Sequence, residues 1–210
     1  MKGQQAFDSN FSWWGKRDYV HGSHMIYQLL DAMKSWGYFD VERIEASFRY
    51  KLREQGTYII LDGSSPKTAK ENYCATFKAQ CRGRAYWVAL IGSGKPVEKF
   101  LPDDENDLIA NCTIIKDRKV AGIKNFPITR YINVIIALNK RLLHETIRSE
   151  GYEHWYMAQL SLDLRQFETG EPKVLSIRLE NVIANRMTKS SIEMNNVKLG
   201  EIFFNRKPLA

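Results

Sequence analysis

Strict alternation of apolar and polar residues in the first half of the chain predicts antiparallel β-strands. Every second residue is apolar from Ile44 to Leu52, and the same period returns from Tyr73 to Cys81. Successive strand side chains point to opposite faces, so this period is typical of a strand with one buried face. Turn-forming residues at 54–56 and 82–84 each precede a further apolar run, "TYIIL" and "AYWVALIG". The pattern predicts about four strands, interrupted by the polar loop 62–71.

The segment before these strands has a different spacing of apolar residues, which predicts a helix. In "HMIYQLLDAMKSWG", residues 24–37, apolar residues occupy most of the helical circumference. Such a helix must be largely buried, because it has little polar surface to offer to water. Gly37 suits its carboxyl-terminal cap.

The second half of the chain repeats this order. "ITRYINVIIALNKRLLHETI" predicts a long helix, with Pro127 near its start and Thr129 as a candidate cap. Alternating or apolar strand segments follow at 156–164, 173–184, 190–196 and 200–205. We therefore expect two units, residues 1–100 and 101–210, joined through the Gly-, Pro- and acid-rich stretch "SGKPVEKFLPDDENDL". "AFDSNFSWW" and "NCTII" are candidate leading strands of the two units.

Composition narrows the class of protein. The 210 residues are 44% hydrophobic and 12% aromatic, which supports a packed core. No apolar run approaches the roughly 18 residues of a membrane span, and the first residues lack an apolar signal segment. Three cysteines without a CxxC pair argue against a disulfide framework or a zinc site, so a cytoplasmic location is expected.

The order helix, then antiparallel strands, occurring twice, resembles the double-hotdog plan. The resemblance implies an α+β fold with two curved antiparallel sheets, each wrapped round a mostly buried central helix. It also explains why the predicted helices have so little polar face. An α+β protein of another topology is the alternative.

The stretch "VHGSHMIYQLLD" resembles a motif of hotdog acyl-thioester hydrolases of the phenylacetyl-CoA type. That motif has His-Gly-Gly, a short apolar stretch and an acidic residue on the central helix. The matching residues here are His21, Gly22 and Ser23, followed by Asp31 as the acid. Ser23 replaces the second glycine, and Asp31 lies one residue beyond the usual spacing, which turns a helical side chain by about 100°.

The chemistry of these residues suits a thioester carbonyl. Free N–H groups and the positive dipole end at a helix start can stabilise an oxyanion. Gly22 and Ser23 are candidate substrate-binding residues, since Gly22 would let the carbonyl approach; Ser23 could also cap the helix. Histidine side chains ordinarily have a pKa of about 6.5, so His21 can act as acid or base. Burial would favour the protonated form of Asp31 and make it a proton carrier.

Each of these residues also has a simpler interpretation. Asp31 could lie on the exposed face of the helix or pair with Lys34. His24 is expected to be structural, satisfying a loop carbonyl. His21 and His24 are three residues apart, but no further His or Cys partner is apparent, so no metal is expected.

Hotdog dehydratases of 3-hydroxyacyl thioesters share the overall plan. In double-hotdog members the histidine and the carboxylate come from different halves. The second predicted helix offers Arg130 and Asn133 as substrate-binding groups but no carboxylate at the corresponding place. The sequence therefore weakens a dehydratase with the usual His/Asp pair, and favours one dominant site per chain.

These observations lead to three hypotheses of function. The first is an enzyme of lipid or polyketide metabolism acting on acyl-CoA or acyl carrier protein, with coenzyme A or phosphopantetheine as part of the substrate and no separate cofactor. The formal charge of +7 fits an acidic carrier. The second is a non-catalytic module that binds an acyl ligand or a protein. The third, nucleic-acid binding, is disfavoured because no recognition motif accompanies the charge and the tryptophans. A homodimer is compatible with the sequence.

Overall fold

A computed structural model describes residues 5–61, 73–148, 151–152, 154–167 and 173–208. The chain forms two compact units, Met1–Asp103 and Asp104–Ala210. In both, the described residues form helices and a mainly antiparallel sheet, so the predicted α+β composition is confirmed. The double-hotdog arrangement stays a prediction. The polar loop 62–71 lies outside the described residues.

Unit 1 combines one helix with strands of three to nine residues. Its described elements are β1 (Ala6–Asp8), β2 (Ser12–Trp14), α1 (Gly22–Ser35), β3 (Val41–Phe48), β4 (Gly56–Leu61), β5 (Ala75–Cys81), β6 (Arg84–Gly92) and β7 (Lys99–Leu101). Within the unit the antiparallel strand order is β1-β4-β6-β5-β3. β2 and β7 form a separate parallel pair. The four predicted long strands are present, and the leading segment supplies β1 and β2.

Helix α1 begins two residues before the predicted stretch and ends as predicted. Gly37 has φ +88°, its N–H donates to the Lys34 carbonyl at 3.0 Å, and the Tyr38 N–H donates to the Met33 carbonyl at 2.9 Å. This pair of bonds is the Schellman motif, in which glycine accepts a left-handed backbone without a Cβ clash. The predicted cap at Gly37 is confirmed.

The core of unit 1 lies between α1 and the sheet. Met25, Ile26, Leu29, Ala32 and Met33 are buried on the helix. One polar bond ties the two layers together, because the fully buried hydroxyl of Tyr58 in β4 donates to the Met25 carbonyl at 2.6 Å. A buried tyrosine needs such an acceptor, and here the helix backbone provides it.

Unit 2 repeats the combination of a helix and an antiparallel sheet. Its described elements are α2 (Glu105–Leu108), β8 (Thr113–Ile115), β9 (Val120–Lys124), a 3-10 turn (Ile128–Arg130), α3 (Tyr131–Thr146), β10 (Tyr156–Asp163), a second 3-10 turn (Arg165–Phe167), β11 (Val174–Ile183), β12 (Met187–Met194) and β13 (Val197–Asn205). The antiparallel strand order is β10-β13-β12-β11-β9-β8. The sequence did not predict α2 or β9.

Helix α3 has a completely buried central stretch. All eight residues from 132 to 139 are buried, including Asn133 and Asn139. The prediction that "YINVIIAL" is too apolar for a surface helix is confirmed. The predicted cap is wrong, because Arg130 occupies the N-cap position and Thr129 lies within the preceding 3-10 turn.

A buried arginine lies at one end of the sheet of unit 2, directly after β13. The Arg206 guanidinium lies 4.2 Å from the ring centre of Tyr152 and 4.3 Å from that of Trp155. Its Nε donates to the Asn185 carbonyl at 2.7 Å, and Nη2 donates to the Arg148 carbonyl at 2.8 Å. Burial lowers the pKa of Arg206. The arginine thereby joins the end of β13 to the chain that leaves α3.

Candidate functional site

His21 lies at the amino-terminal end of α1. It is the N-cap residue, with extended backbone angles of φ −70° and ψ 139°, and its side chain is only 5% exposed. Its carbonyl accepts the first helical hydrogen bond, from the Met25 N–H at 3.2 Å. The N–H of Val20 donates to the Leu52 carbonyl at 2.8 Å and holds the preceding chain in place. The geometry therefore places an imidazole beside the positive end of a 14-residue helix.

The sequence suggested Ser23 as a helix cap. In the structure Ser23 does not cap the helix, and its side chain contacts His21 instead. Gly22 and Ser23 belong to the first turn, and the N-cap makes no side-chain cap bond. The Ser23 Oγ lies 2.7 Å from the His21 Nδ1, and Ser23 is fully buried. His21, Gly22 and Ser23 are thus brought together as predicted, but the serine acts on the imidazole rather than on the helix backbone.

Residues 11–14, which include strand β2, pack against this end of α1. The Trp14 ring meets the His21 ring edge-on, with centroids 5.2 Å apart, and the Phe11 ring meets the His24 ring in the same way at 5.6 Å. The Ser12 N–H donates to the His24 Nδ1 at 3.4 Å. His24 is therefore structural, as expected, although its partner is an N–H and not a carbonyl. Burial lowers the pKa of His24, partly offset by a hydrogen bond with the Ser12 backbone and by the charge of Asp31.

The sequence missed Trp14 as part of the site. The segment "AFDSNFSWW" was assigned to a leading strand, and nothing in its pattern connects Trp14 to His21. The turn between them starts at Gly15, which has φ +62°. A Cβ there would lie 2.7 Å from the Asp103 Cβ, so the turn needs glycine. No sequence motif reveals the contact between Trp14 and His21, because this contact depends on the path of the chain between them.

Asp31 does not meet the condition that made it a candidate acid. The candidate acid was expected to be buried, whereas the residue is exposed on α1. It also lies ten residues beyond His21, about 15 Å along the helix axis at 1.5 Å per residue. Within unit 1, Asp31 and His21 therefore cannot act on the same proton, and the expectation of a buried acid at Asp31 is wrong.

The two candidate residues of α3 differ from each other. Arg130 forms a bidentate ion pair with Asp104, with Nη2 to Oδ1 at 2.9 Å, and the guanidinium lowers the pKa of Asp104. Binding of substrate by Arg130 would require exchange of this partner. Asn133 is 3% exposed, and its Oδ1 accepts no hydrogen bond from the part of the chain that is described. Within the described part of the chain, Asn133 therefore keeps an acceptor that a ligand could use.

Other kinds of site find little support in the described residues. They contain no group of three His, Cys, Asp or Glu side chains arranged to hold a metal. No helix among them has the length and apolarity to cross a membrane. Of the four tryptophans considered for stacking on nucleic-acid bases, Trp14 and Trp155 are buried, whereas Trp13 and Trp87 are partly exposed. A cleft of about 240 Å³ near Asp107 and Lys124 in unit 2 is smaller than typical ligand pockets of roughly 300–1,000 Å³ and includes none of the predicted site residues.

Comparison with known proteins identifies the fold. No family model and no curated protein matches the sequence. The structure is similar to a protein of Thermobifida fusca YX assigned as a thioesterase II, at 7% identity over 100% of this chain and 94% of that chain, with a TM-score of 0.55. It is also similar to the pyran synthase domain from module nine of the sorangicin pathway, at 12% identity over 100% and 96% of the two chains, with a TM-score of 0.52. The chain has the hotdog fold.

A hotdog protein of unknown function from Alicyclobacillus acidocaldarius is a further match, at 9% identity over 100% of this chain and 95% of that chain, with a TM-score of 0.46. The two preceding matches, with TM-scores of 0.55 and 0.52, confirm the predicted hotdog fold. At these identities the likeness concerns the fold, and the chemistry must be argued from the side chains at the start of α1.

Proposed function

We propose that this hotdog protein hydrolyses acyl thioesters of coenzyme A or acyl carrier protein at the amino-terminal end of α1. The observation that carries the proposal is the buried His21 at the N-cap, followed by Gly22 as the first helical residue. Gly22 is partly exposed, and it is there that we place the thioester carbonyl. The assignment of the T. fusca neighbour as a thioesterase agrees with this class of reaction.

The proposed reaction uses the helix start as an oxyanion site. Water adds to the carbonyl carbon, the carbonyl oxygen becomes negative, and the carbon–sulfur bond then breaks. The proton released by water ends on the thiolate sulfur, which leaves a carboxylic acid and a thiol. Free N–H groups of the first turn and the His21 ring stabilise the negative oxygen, and one such donor is worth roughly 10²–10³ in kcat.

We further propose that the two units are two hotdog domains, residues 1–100 and 101–210, which form a double hotdog. The repeated combination of a buried helix with an antiparallel sheet supports this arrangement. Only unit 1 has a His-Gly pair at its helix start, whereas α3 begins at Tyr131 after Arg130. We therefore place the reaction in unit 1, and retain Asn133 as a candidate ligand contact in unit 2. Coenzyme A or phosphopantetheine enters as part of the substrate.

Two other functions are alternatives that the same experiments separate. A dehydratase of 3-hydroxyacyl thioesters would use His21 but needs a second acid–base group, and the exposed Asp31, ten residues further along α1, is not placed to supply it within unit 1. A non-catalytic module would bind the acyl thioester without turnover. The positive charge fits the acidic carrier in all three cases.

The test is a panel of acyl-CoA and 3-hydroxyacyl-CoA substrates of increasing chain length. Products are separated by liquid chromatography and identified as free acid, 2-enoyl thioester or unchanged substrate. We expect release of free acid, and a fall of at least about 10²-fold in kcat for His21→Ala, the lower end of what acid–base and oxyanion groups contribute.

A matched control is His154→Ala, which removes an exposed histidine in unit 2 and should leave turnover unchanged. Full activity in His21→Ala would refute the proposed site. Formation of 2-enoyl thioester would establish the dehydratase, and a stoichiometric complex without product would establish the binding module.

A further inference from the structure

The contact between Ser23 and His21 determines more than the orientation of a ring. Ser23 is 0% exposed, and its Oγ lies 2.7 Å from the His21 Nδ1. Among the described residues this is the one hydrogen bond that the Ser23 side chain makes. A buried hydroxyl proton that finds no acceptor loses a hydrogen bond that it had to water, so the proton should point at Nδ1.

The position of the Ser23 hydroxyl proton determines which nitrogen of neutral His21 carries the ring proton. If Ser23 donates, Nδ1 is the acceptor, and a neutral imidazole must then hold its proton on Nε2. In the opposite tautomer Nδ1–H would donate to Oγ, and the serine proton would be left in the core without a partner. The bond therefore favours the Nε2–H form.

Complete burial also argues against a different role for Ser23. A serine beside a histidine can act as a nucleophile, but the reacting oxygen must then reach the carbonyl carbon. An oxygen with 0% residue exposure, in the first turn of a packed helix, does not reach a substrate. Its effect must pass through His21.

We propose that Ser23 is a positioning residue that holds neutral His21 with its proton on Nε2, so that the imidazole meets the thioester carbonyl as a hydrogen-bond donor. The part concerning the thioester rests on the proposed function. His21 then adds a side-chain donor to the backbone N–H groups at the helix start, directed at the oxygen that becomes negative. The edge-on Trp14 ring, 5.2 Å from the imidazole, limits rotation of the ring away from this orientation.

The test measures the tautomer directly, so it does not depend on finding a substrate. Uniformly ¹⁵N-labelled protein is studied by long-range proton–nitrogen correlation at a pH where the histidines are neutral. We expect the His21 Nε2 to be protonated in the wild type, and a mixture of tautomers in Ser23→Ala. Ser23→Thr, which keeps the hydroxyl, should restore the Nε2–H form.

His24 is the internal control for this experiment. Its Nδ1 accepts from the backbone N–H of Ser12, so it should remain Nε2–H in wild type and variants alike. Unchanged His24 signals also report that the end of α1 is still folded. A wild-type His21 protonated on Nδ1, or a Ser23→Ala spectrum identical to that of the wild type, would overturn the proposal.

The kinetic consequence is measured separately. In Ser23→Ala we expect kcat to fall about tenfold, the equivalent of one buried hydrogen bond, with little change in KM. If the protein turns over no thioester, the proposed function fails, whereas the tautomer spectra still decide whether Ser23 positions His21.

Discussion

Gly200 in β13 is the position where a single methyl group should damage the fold most clearly. The residue is buried and lies between two strands, opposite Leu162 of β10 and Ile192 of β12. A Cβ built on Gly200 would lie 1.8 Å from the Ser161 carbonyl oxygen and 2.8 Å from the Ser161 carbonyl carbon. Both are backbone atoms, so no side-chain rotation can relieve the contact.

The size of the required movement sets the expected cost. Contacts of a Cβ shorter than 3.0 Å are essentially never seen, so Gly200→Ala must move the two strands apart by at least 1.2 Å at this point. Overpacking of a buried site typically costs 1–3 kcal/mol, and a backbone clash belongs at the upper end, at about 3 kcal/mol. For a chain of this length, that lowers Tm by about 6–12 °C.

The assay is thermal and urea unfolding of Gly200→Ala beside Gly122→Ala. Gly122 lies in β9 of the same unit, and a Cβ there would meet only the Leu175 carbonyl oxygen, at an ordinary 3.7 Å. The control should change the free energy of unfolding by less than about 1 kcal/mol. If both variants were equally stable, the close approach of the backbone at Gly200 would not be the reason for glycine.

Three further predictions concern other buried groups. Tyr58→Phe keeps the ring but removes the hydroxyl that donates to Met25, so the free energy of unfolding should fall by about 1 kcal/mol in urea denaturation; no change would contradict the bond between helix and sheet. Burial lowers the folded pKa of His24 below 6.5, so the contribution of His24 to the free energy of unfolding should be complete above that pH and be lost as the pH falls through the folded pKa. His24→Gln should therefore flatten the acid side of a plot of stability against pH. An unchanged slope would count against the lowered pKa as the cause. Burial raises the pKa of the Cys74 thiol to about 12, so mass spectrometry after iodoacetamide treatment at pH 8 should find the partly exposed Cys112 alkylated and Cys74 modified only after unfolding.

The alternation of apolar and polar residues was enough to predict the long elements. Strands such as β3 and β5 follow directly from their period, because a half-buried strand must alternate whatever it packs against. The helices α1 and α3 follow from runs that are apolar on most sides. Short elements were missed: α2 has four residues and β9 has five, too few for a period to show.

The candidate site was predicted in part. His21 and Gly22 come together at a helix start because they are neighbours in sequence, and the helical pattern after them is strong. For Asp31 the sequence left two interpretations, a buried acid on a mostly apolar helix and a residue on its one exposed face, and the structure shows the second. Ser23 fits both a helix cap and a partner for His21, and only the positions of the two side chains distinguish these roles.

What the sequence determined by itself is which residues avoid water and with what period, and hence the two-fold order of helices and antiparallel strands. The tertiary structure decided which distant residues meet. Trp14 reaches His21 through a glycine turn, Ser12 reaches His24, and Tyr58 reaches the α1 backbone across the core. The physical reason is that the polarity of each side chain determines whether it avoids water. Each of these contacts, in contrast, depends on the path of the chain between its two partners.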